Sequence, residues 1–190
     1  MDKKLTEQDY LQAADRLDCE VAVIHAIDLV ESSGSGFLND GRPKILFEAH
    51  IFHRLTKGLW DAKYPEISNK QWDKNLYKGG SKEYERLAIA LKLDRPAALM
   101  STSWGKYQIL GQNYKLCGYD NIDEFVDDMY KSEVYHLNAF VRFIKSNGKL
   151  WEALKAKNWE AFAKYYNGPS YQKNRYPERL ENAYKKYFNQ

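Results

Sequence analysis

The 190-residue chain has only two cysteines, Cys19 and Cys117, too few for a disulfide framework and without the spacing of a metal site. They read as ordinary thiols of a reducing compartment. Five prolines among 190 residues, with 44% hydrophobic residues, argue against a disordered chain. No apolar run reaches membrane length, and the opening MDKKLTEQDYLQAADRL is charged and amphipathic where a signal peptide has an apolar core. The expectation is a chain made and kept in the cytoplasm, without stable membrane insertion. P-loop, dinucleotide fingerprint, G-x-S-x-G and HEXXH patterns are all missing. His50 and His53 lie i, i+3 with Glu48 nearby, yet no third ligand stands out, so neither metal nor cofactor is expected. Without an internal repeat or a low-complexity linker, residues 1–190 read as one domain.

Charge and aromatic content are more informative. The net charge is +3, but residues 142–190 hold 11 Lys and Arg against 4 Asp and Glu, whereas residues 1–141 hold 18 against 22. Such a basic end suits an anionic cell wall, a membrane face or nucleic acid, and equally a solvated helical surface. The basic residues are spread around predicted helices with no reading motif, so no nucleic-acid partner is expected. Fifteen tyrosines and five tryptophans would serve a carbohydrate-binding surface or an aromatic core.

Periodicity predicts a mainly α protein with a small β-ribbon. Thr6, followed by acidic residues, opens a helix through residue 17, and VAVIHAIDLVE makes the next one over residues 21–31. Asp40-Gly41 reads as a hairpin turn with residues 45–47 as the strand on its far side, then a helical turn over 49–55. Residues 56–82 read as a long irregular segment, and 83–93 as a helix. The Ser, Thr and Gly residues of STSWGKYQI mark a turn before a helix starting near Lys106. Residues 121–146 form the longest periodic run, expected to be one central core helix. Further helices are expected over 151–166 and 171–188, the last interrupted or begun near Pro177.

Carboxylates are the candidate chemistry. Ile24, Ile27 and Glu31 fall at i, i+3 and i+7, so Glu31 shares an apolar stripe, and Gly34 and Gly36 mark the helix end just beyond it. A carboxyl at a helix C-terminus among apolar neighbours has a raised pKa and suits a proton donor. The alternative is an exposed Glu at a frayed end. A hairpin folded back on this helix would bring Asp40 and Glu48 towards Glu31, and two carboxyls flanking one bond are what glycoside hydrolysis requires. Equally, Asp40 would be a turn former, and Glu48 would pair with Arg42 or Arg54.

The order ESSGSGF (31–37), SWGKYQI (103–109) and YYNGP (165–169) resembles the lysozyme superfamily, particularly goose-type lysozymes and soluble lytic transglycosylases. More closely, VESSGSGFLNDGRPKILFEAHIFHRLT and STSWGKYQILGQNY are similar to the N-acetylmuramidase family of phage endolysins, over most of residues 5–185. The resemblance implies a lysozyme-like α+β fold acting on peptidoglycan glycan strands as a monomer, made in the host bacterial cytoplasm and acting on the wall after release. It places Glu31 on the catalytic acid, Gly105 and Gln108 on a cleft-lining G-x-x-Q block, and Tyr166 with Asn167 on a Tyr-Asn block. Ser33, Trp104 and Tyr107 join these as substrate-binding candidates, the two aromatics as sugar-stacking surfaces. Trp104, Ile109 and Tyr165 have core readings as well, preferred for the last two. The acidic groups of DGRPKILFE, which a Glu-only transglycosylase lacks, favour hydrolysis by water, with Glu48 preferred over Asp40 as second carboxylate. A lytic transglycosylase giving 1,6-anhydro-muramic products and a catalytically dead wall-binding module are the competing readings.

Overall fold

The computed structural model describes residues 3–32, 34–168 and 175–188. Its first helix, α1 (Glu7–Leu17), begins where the sequence places a cap: the Thr6 amide and hydroxyl both donate to Asp9 Oδ2, at 2.8 and 2.6 Å. It stops at Asp18, which takes a left-handed conformation. Then α2 (Val21–Glu31) buries Val23, Ile24, Ala26 and Ile27, the stripe predicted from spacing. No residue in its last turn is basic, so its carbonyl end meets the Glu31 carboxyl without compensation from its own helix.

The Asp40-Gly41 turn forms, with Leu38 N donating to Arg42 O at 2.8 Å and a single bridge between Phe37 and Pro43. Its far strand, β1 (Ile45–Phe47), does not continue that ribbon. It pairs antiparallel with β2 (Thr102–Trp104), Ile45 opposite Trp104 and Phe47 opposite Thr102, and β2 pairs with β3 (Ile109–Leu110). The helix expected near Lys106 is therefore a hairpin turn. Gly105 and Gln108 both take positive φ, 71° and 48°, which reverses the chain where a helix would continue it. Short Ser and Thr residues on β2 fit because all three of its positions are buried between neighbours.

After β1 come α3 (Ala49–Leu55) and a segment of turns through residue 82 with two short 3-10 turns, then α4 (Glu83–Leu93) and α5 (Arg95–Met100). The long run over 121–146 is two helices, α6 (Ile122–Lys131) and α7 (Glu133–Lys145). Ser132 between them is fully extended, and the freed Glu133 amide donates to Lys3 O at 2.8 Å. Residues 148–167 likewise divide into α8 (Gly148–Lys155) and α9 (Trp159–Asn167), separated by Lys157 at φ 53° and the Asn158 cap on Ala161. The last helix, α10 (Tyr176–Phe188), begins beside Pro177, where the sequence allows a start; residues 171–174 lie outside the described residues.

Helix α7 is the buried centre, with Leu137, Ala139, Phe140, Val141 and Ile144 all 3% exposed or less. One hydrophobic cluster joins it to α1, α2, the sheet and α8 to α10, and α10 lies against α2. The sheet and the far end of α2 thus face one another across the opening described next.

Candidate active site

Glu31 ends α2, half-buried, with its Oε1 enclosed and without a hydrogen-bond partner among the described residues. Burial pushes its carboxyl up to about 8, against a smaller opposing pull from the Arg179 guanidinium. At neutral pH the group is a neutral acid holding a proton. Arg179, on α10, donates to the carbonyl of Val30 at 3.1 Å, one of the carbonyls left open at the end of α2.

Two cavities meet at this carboxyl. The first, about 350 Å³, is lined by Glu31, Ser35, Leu38, Lys44, Ile45, Leu46, Gly79, Gly80, Gly105, Lys106 and Gln108. A second, about 270 Å³, is lined by Glu31, Tyr107, Gln108, Ile109, Leu110, Asn113, Phe143, Tyr166 and Asn167. Glu31 and Gln108 belong to both, so together they form a cleft that passes over the acid. A third hollow continues past Ser35, Leu38 and Lys44 to Asp40.

Of the expected site residues, Glu31, Gly105, Tyr107, Gln108, Tyr166 and Asn167 line this cleft. Gln108 Nε2 donates to Gly105 O at 2.8 Å and to Lys44 O at 3.3 Å, so its amide nitrogen is committed to backbone and Oε1 is left to accept from a ligand N–H. Tyr166 donates to Tyr107 O at 3.0 Å and stacks on Phe162, so its hydroxyl is held by backbone and not by Glu31. Ser33 lies outside the described residues.

The two sugar-stacking assignments on the hairpin do not hold. Trp104 is 1% exposed with Nε1 donating to Leu99 O, and Tyr107 is 2% exposed, stacked on Phe140 with its hydroxyl donating to Asp28. So little of either ring is exposed that neither offers a free face for a sugar; they anchor the turn, and Tyr107 contributes only to the wall of the second cavity. Ile109 is a core residue as read, but Tyr165 is exposed, because α9 turns Tyr166 inward and its neighbour outward.

Neither candidate second carboxylate lines a cavity with Glu31. Glu48 accepts from Tyr77 Oη at 2.7 Å, lies 3.4 Å from His50 Nδ1, and belongs to a separate small pocket with Asp73 and Tyr77. The folding back that would have brought it near does not occur, because β1 pairs with β2 instead of the 37–43 ribbon. Asp40, at the edge of the third hollow, is gripped by Arg42 Nε and Nη2 at 2.9 and 2.6 Å, which holds its carboxyl below the usual range. Among the described residues lining the two cavities that share Glu31, no second carboxylate is found. Nor do three His, Cys, Asp or Glu side chains gather as a metal site among the described residues.

Sequence reasoning missed the support beneath the cleft. Asp28, one turn before Glu31, accepts from Tyr10 at 3.0 Å and Tyr107 at 2.9 Å and lies 3.3 Å from Lys106 Nζ. Lys106, 4% exposed, also donates to Gly34 O at 3.0 Å and lies 3.4 Å from Glu133, whose Oε1 accepts from Gly36 N at 2.6 Å. These ties clamp the segment after Glu31 to the 105–108 turn and to α7. His136 completes the clamp: Nδ1 accepts from Lys106 N and Nε2 donates to Met129 O, the neutral tautomer, with burial pushing its pKa down to about 4. A Cβ on Gly105 or Gly36 would sit 2.9 or 2.6 Å from that imidazole, so both positions require glycine. The available signal was Glu133, a charge on the apolar stripe of the 121–146 run.

The model of the N-acetylmuramidase family matches residues 20–188 of the chain. Among solved structures, the crystal structure of Burkholderia AP3 phage endolysin is similar, at 42% identity and a TM-score of 0.93, over 99% of this chain and 73% of that one. No curated protein matches the chain.

Proposed function

The chain belongs to the N-acetylmuramidase family, and from that premise we propose that it is an endolysin-type peptidoglycan hydrolase using Glu31 as general acid. The bond cleaved is the β-1,4 link between N-acetylmuramic acid and N-acetylglucosamine. The observation that carries this reading is a protonated carboxyl, raised to about 8, at the junction of two cavities that together admit an extended ligand. A glycan threaded through both would pass its scissile oxygen over Glu31.

In that pose Glu31 gives its proton to the leaving oxygen as the C–O bond breaks, and an oxocarbenium-like centre develops on the muramic ring. Gln108 Oε1 is suited to accept from an N-acetyl N–H, and the Gly105 backbone forms the cleft wall beside it. Water then completes hydrolysis. Glu31→Gln keeps the shape and removes the transferable proton; a folded variant that still clears a peptidoglycan suspension would sink the assignment.

One specific observation favours a second reading. With no second carboxylate among the described lining residues, attack by the muramic 6-hydroxyl, as in a lytic transglycosylase, needs no group that the cleft lacks. Mass spectrometry of the products separates the two: reducing ends mark hydrolysis, 1,6-anhydro-muramic ends mark the transglycosylase. Sedimentation with peptidoglycan without any product would instead mark a wall-binding module.

A further inference from the structure

Glu48 is free for another role, and its contacts indicate which. It caps the start of α3 directly after β1, and its own amide donates to Ser101 O at 2.9 Å, so its backbone is fixed to the sheet whose Ile45 and Leu46 line the cleft. Its Oε2 receives the Tyr77 hydroxyl at 2.7 Å, and that same Tyr77 oxygen receives the indole N–H of Trp72 at 2.8 Å. Trp72 is 61% exposed, and the two rings meet edge to face, 6.4 Å apart at 68°. The result is a strut of three side chains in series, sheet to carboxylate to phenol to indole, ending on an exposed tryptophan.

An exposed indole ordinarily keeps its rotamer freedom, and holding it has an entropic cost that a merely solvated residue would not meet. Here the rest of the segment is fixed too. Asp73 Oδ1 accepts from Asn75 N, and Lys78 N and Gly79 N both donate to Glu83 Oε1, at 2.6 and 3.0 Å. Glu83 is fully buried and paired with Arg86 at 2.9 Å. Two and three residues beyond Tyr77, Gly79 and Gly80 form part of the wall of the Glu31 cavity. The wall of the cleft and the tryptophan are therefore one continuous, braced segment.

We propose that Trp72 is a stacking platform for a sugar ring of the glycan strand outside the cleft, held in orientation by the Tyr77–Glu48 strut. The proposal rests on the glycan reading of the cleft. A rigid indole offers a flat, electron-rich face to the C–H bonds of a pyranose, while the polar edge is already satisfied and needs nothing from the ligand. Preorganisation of this kind raises affinity by removing the ordering cost at binding. Glu48 and Tyr77 are positioning residues; neither touches the reacting atoms.

The test compares kcat and KM on long uncrosslinked peptidoglycan strands and on a tetrasaccharide of the same repeat, the short ligand serving as the probe of the cleft itself. Trp72→Ala, at an exposed position, is expected to raise KM on long strands roughly tenfold, with kcat and the tetrasaccharide KM unchanged. Tyr77→Phe, which removes both hydrogen bonds of the strut and keeps the ring, is expected to give a smaller rise of the same kind. An unchanged KM on long strands, or an equal rise on both substrates, overturns the platform. If the native protein cleaves neither substrate, the enzymatic reading fails by itself. The platform is then judged by cosedimentation with the long strands, which Trp72→Ala must weaken; equal cosedimentation rejects it.

Discussion

Asp28 and Glu31 stand one turn apart on α2, and their surroundings are opposite. Asp28 receives two tyrosine hydroxyls and a lysine ammonium, so every side of the carboxylate meets a donor. Glu31 has an enclosed oxygen with no partner among the described residues and one cation reaching it from another helix. The difference separates support from chemistry: the Asp28 carboxyl is held rigid by its donors, whereas Glu31, buried without a partner, keeps its proton and can give it away. It also explains why the loops around the cleft can be short and glycine-rich. Their order comes from the buried Lys106 clamp, not from the acid they surround.

The sharpest way to break that contrast is to remove each group in turn. Glu31→Gln is expected to lower lytic activity by about 10³-fold, the usual share of a general acid. The same change is expected to stabilise the fold by about 3 kcal/mol at pH 7, because the folded chain no longer has to retain a proton that the unfolded chain releases near 4.5. Turbidity clearing and a thermal melt check the two halves. Loss of activity together with a lowered Tm would show that Glu31 is structural after all.

On the other side of the comparison, Lys106→Met leaves Asp28 and Glu133 buried without their cation. A loss of about 3–5 kcal/mol is expected, read from denaturant midpoints, as for other buried pairs that lose one partner. An unchanged midpoint would mean that the clamp contributes nothing and that the Asp28 surroundings are no more rigid than those of Glu31.

The two sides were unequally legible in the sequence. Glu31 could be found because its signals are local: the apolar stripe of Ile24 and Ile27 on its own helix and Gly34 just beyond. The clamp could not, since Lys106 meets Gly34 and Asp28 from a turn more than seventy residues away, and Glu133 meets Gly36 from further still. Glu48 was misplaced for a related reason. Strand propensity marks residues 45–47 as β but does not say which partner they take, and pairing with 102–104 instead of 37–43 sends the next side chain to Tyr77. The break at Ser132 was hidden because the apolar period continues across it, and what stabilises the gap is the carbonyl of Lys3.

The pH dependence of stability sharpens the contrast further. His136 in the clamp has its pKa lowered to about 4 from 6.5, so the neutral form is favoured in the fold; its contribution is present above 6.5 and is lost as pH falls towards 4. Glu31 acts in the other direction. Its folded pKa is raised, so its contribution is present below 4.5 and is lost as pH rises through 8. Between about pH 4.5 and 6.5 the two slopes oppose and nearly cancel, so a plateau is expected there, with a fall of about 2 kcal/mol on the alkaline side by pH 9 and less than about 1 kcal/mol on the acid side. Melts from pH 4 to 9 check this, and Glu31→Gln is expected to flatten the alkaline side and leave the His136 slope between about pH 4 and 6.5 unopposed.

The smallest effect tests the single link between the acid and the rest of the charge distribution. Arg179 comes from α10, caps Val30 O at the end of α2, and opposes the burial that keeps Glu31 protonated. Because the guanidinium is exposed, water screens its pull on the carboxyl. Arg179→Gln, which can still donate to the Val30 carbonyl, should move the alkaline limb of kcat/KM upward by roughly half a pH unit, because an acid that has lost a neighbouring cation holds its proton to higher pH. Arg179→Lys should leave the limb near its original position. If both variants share the native limb, the cation merely caps the helix, and the protonation of Glu31 is set by burial alone.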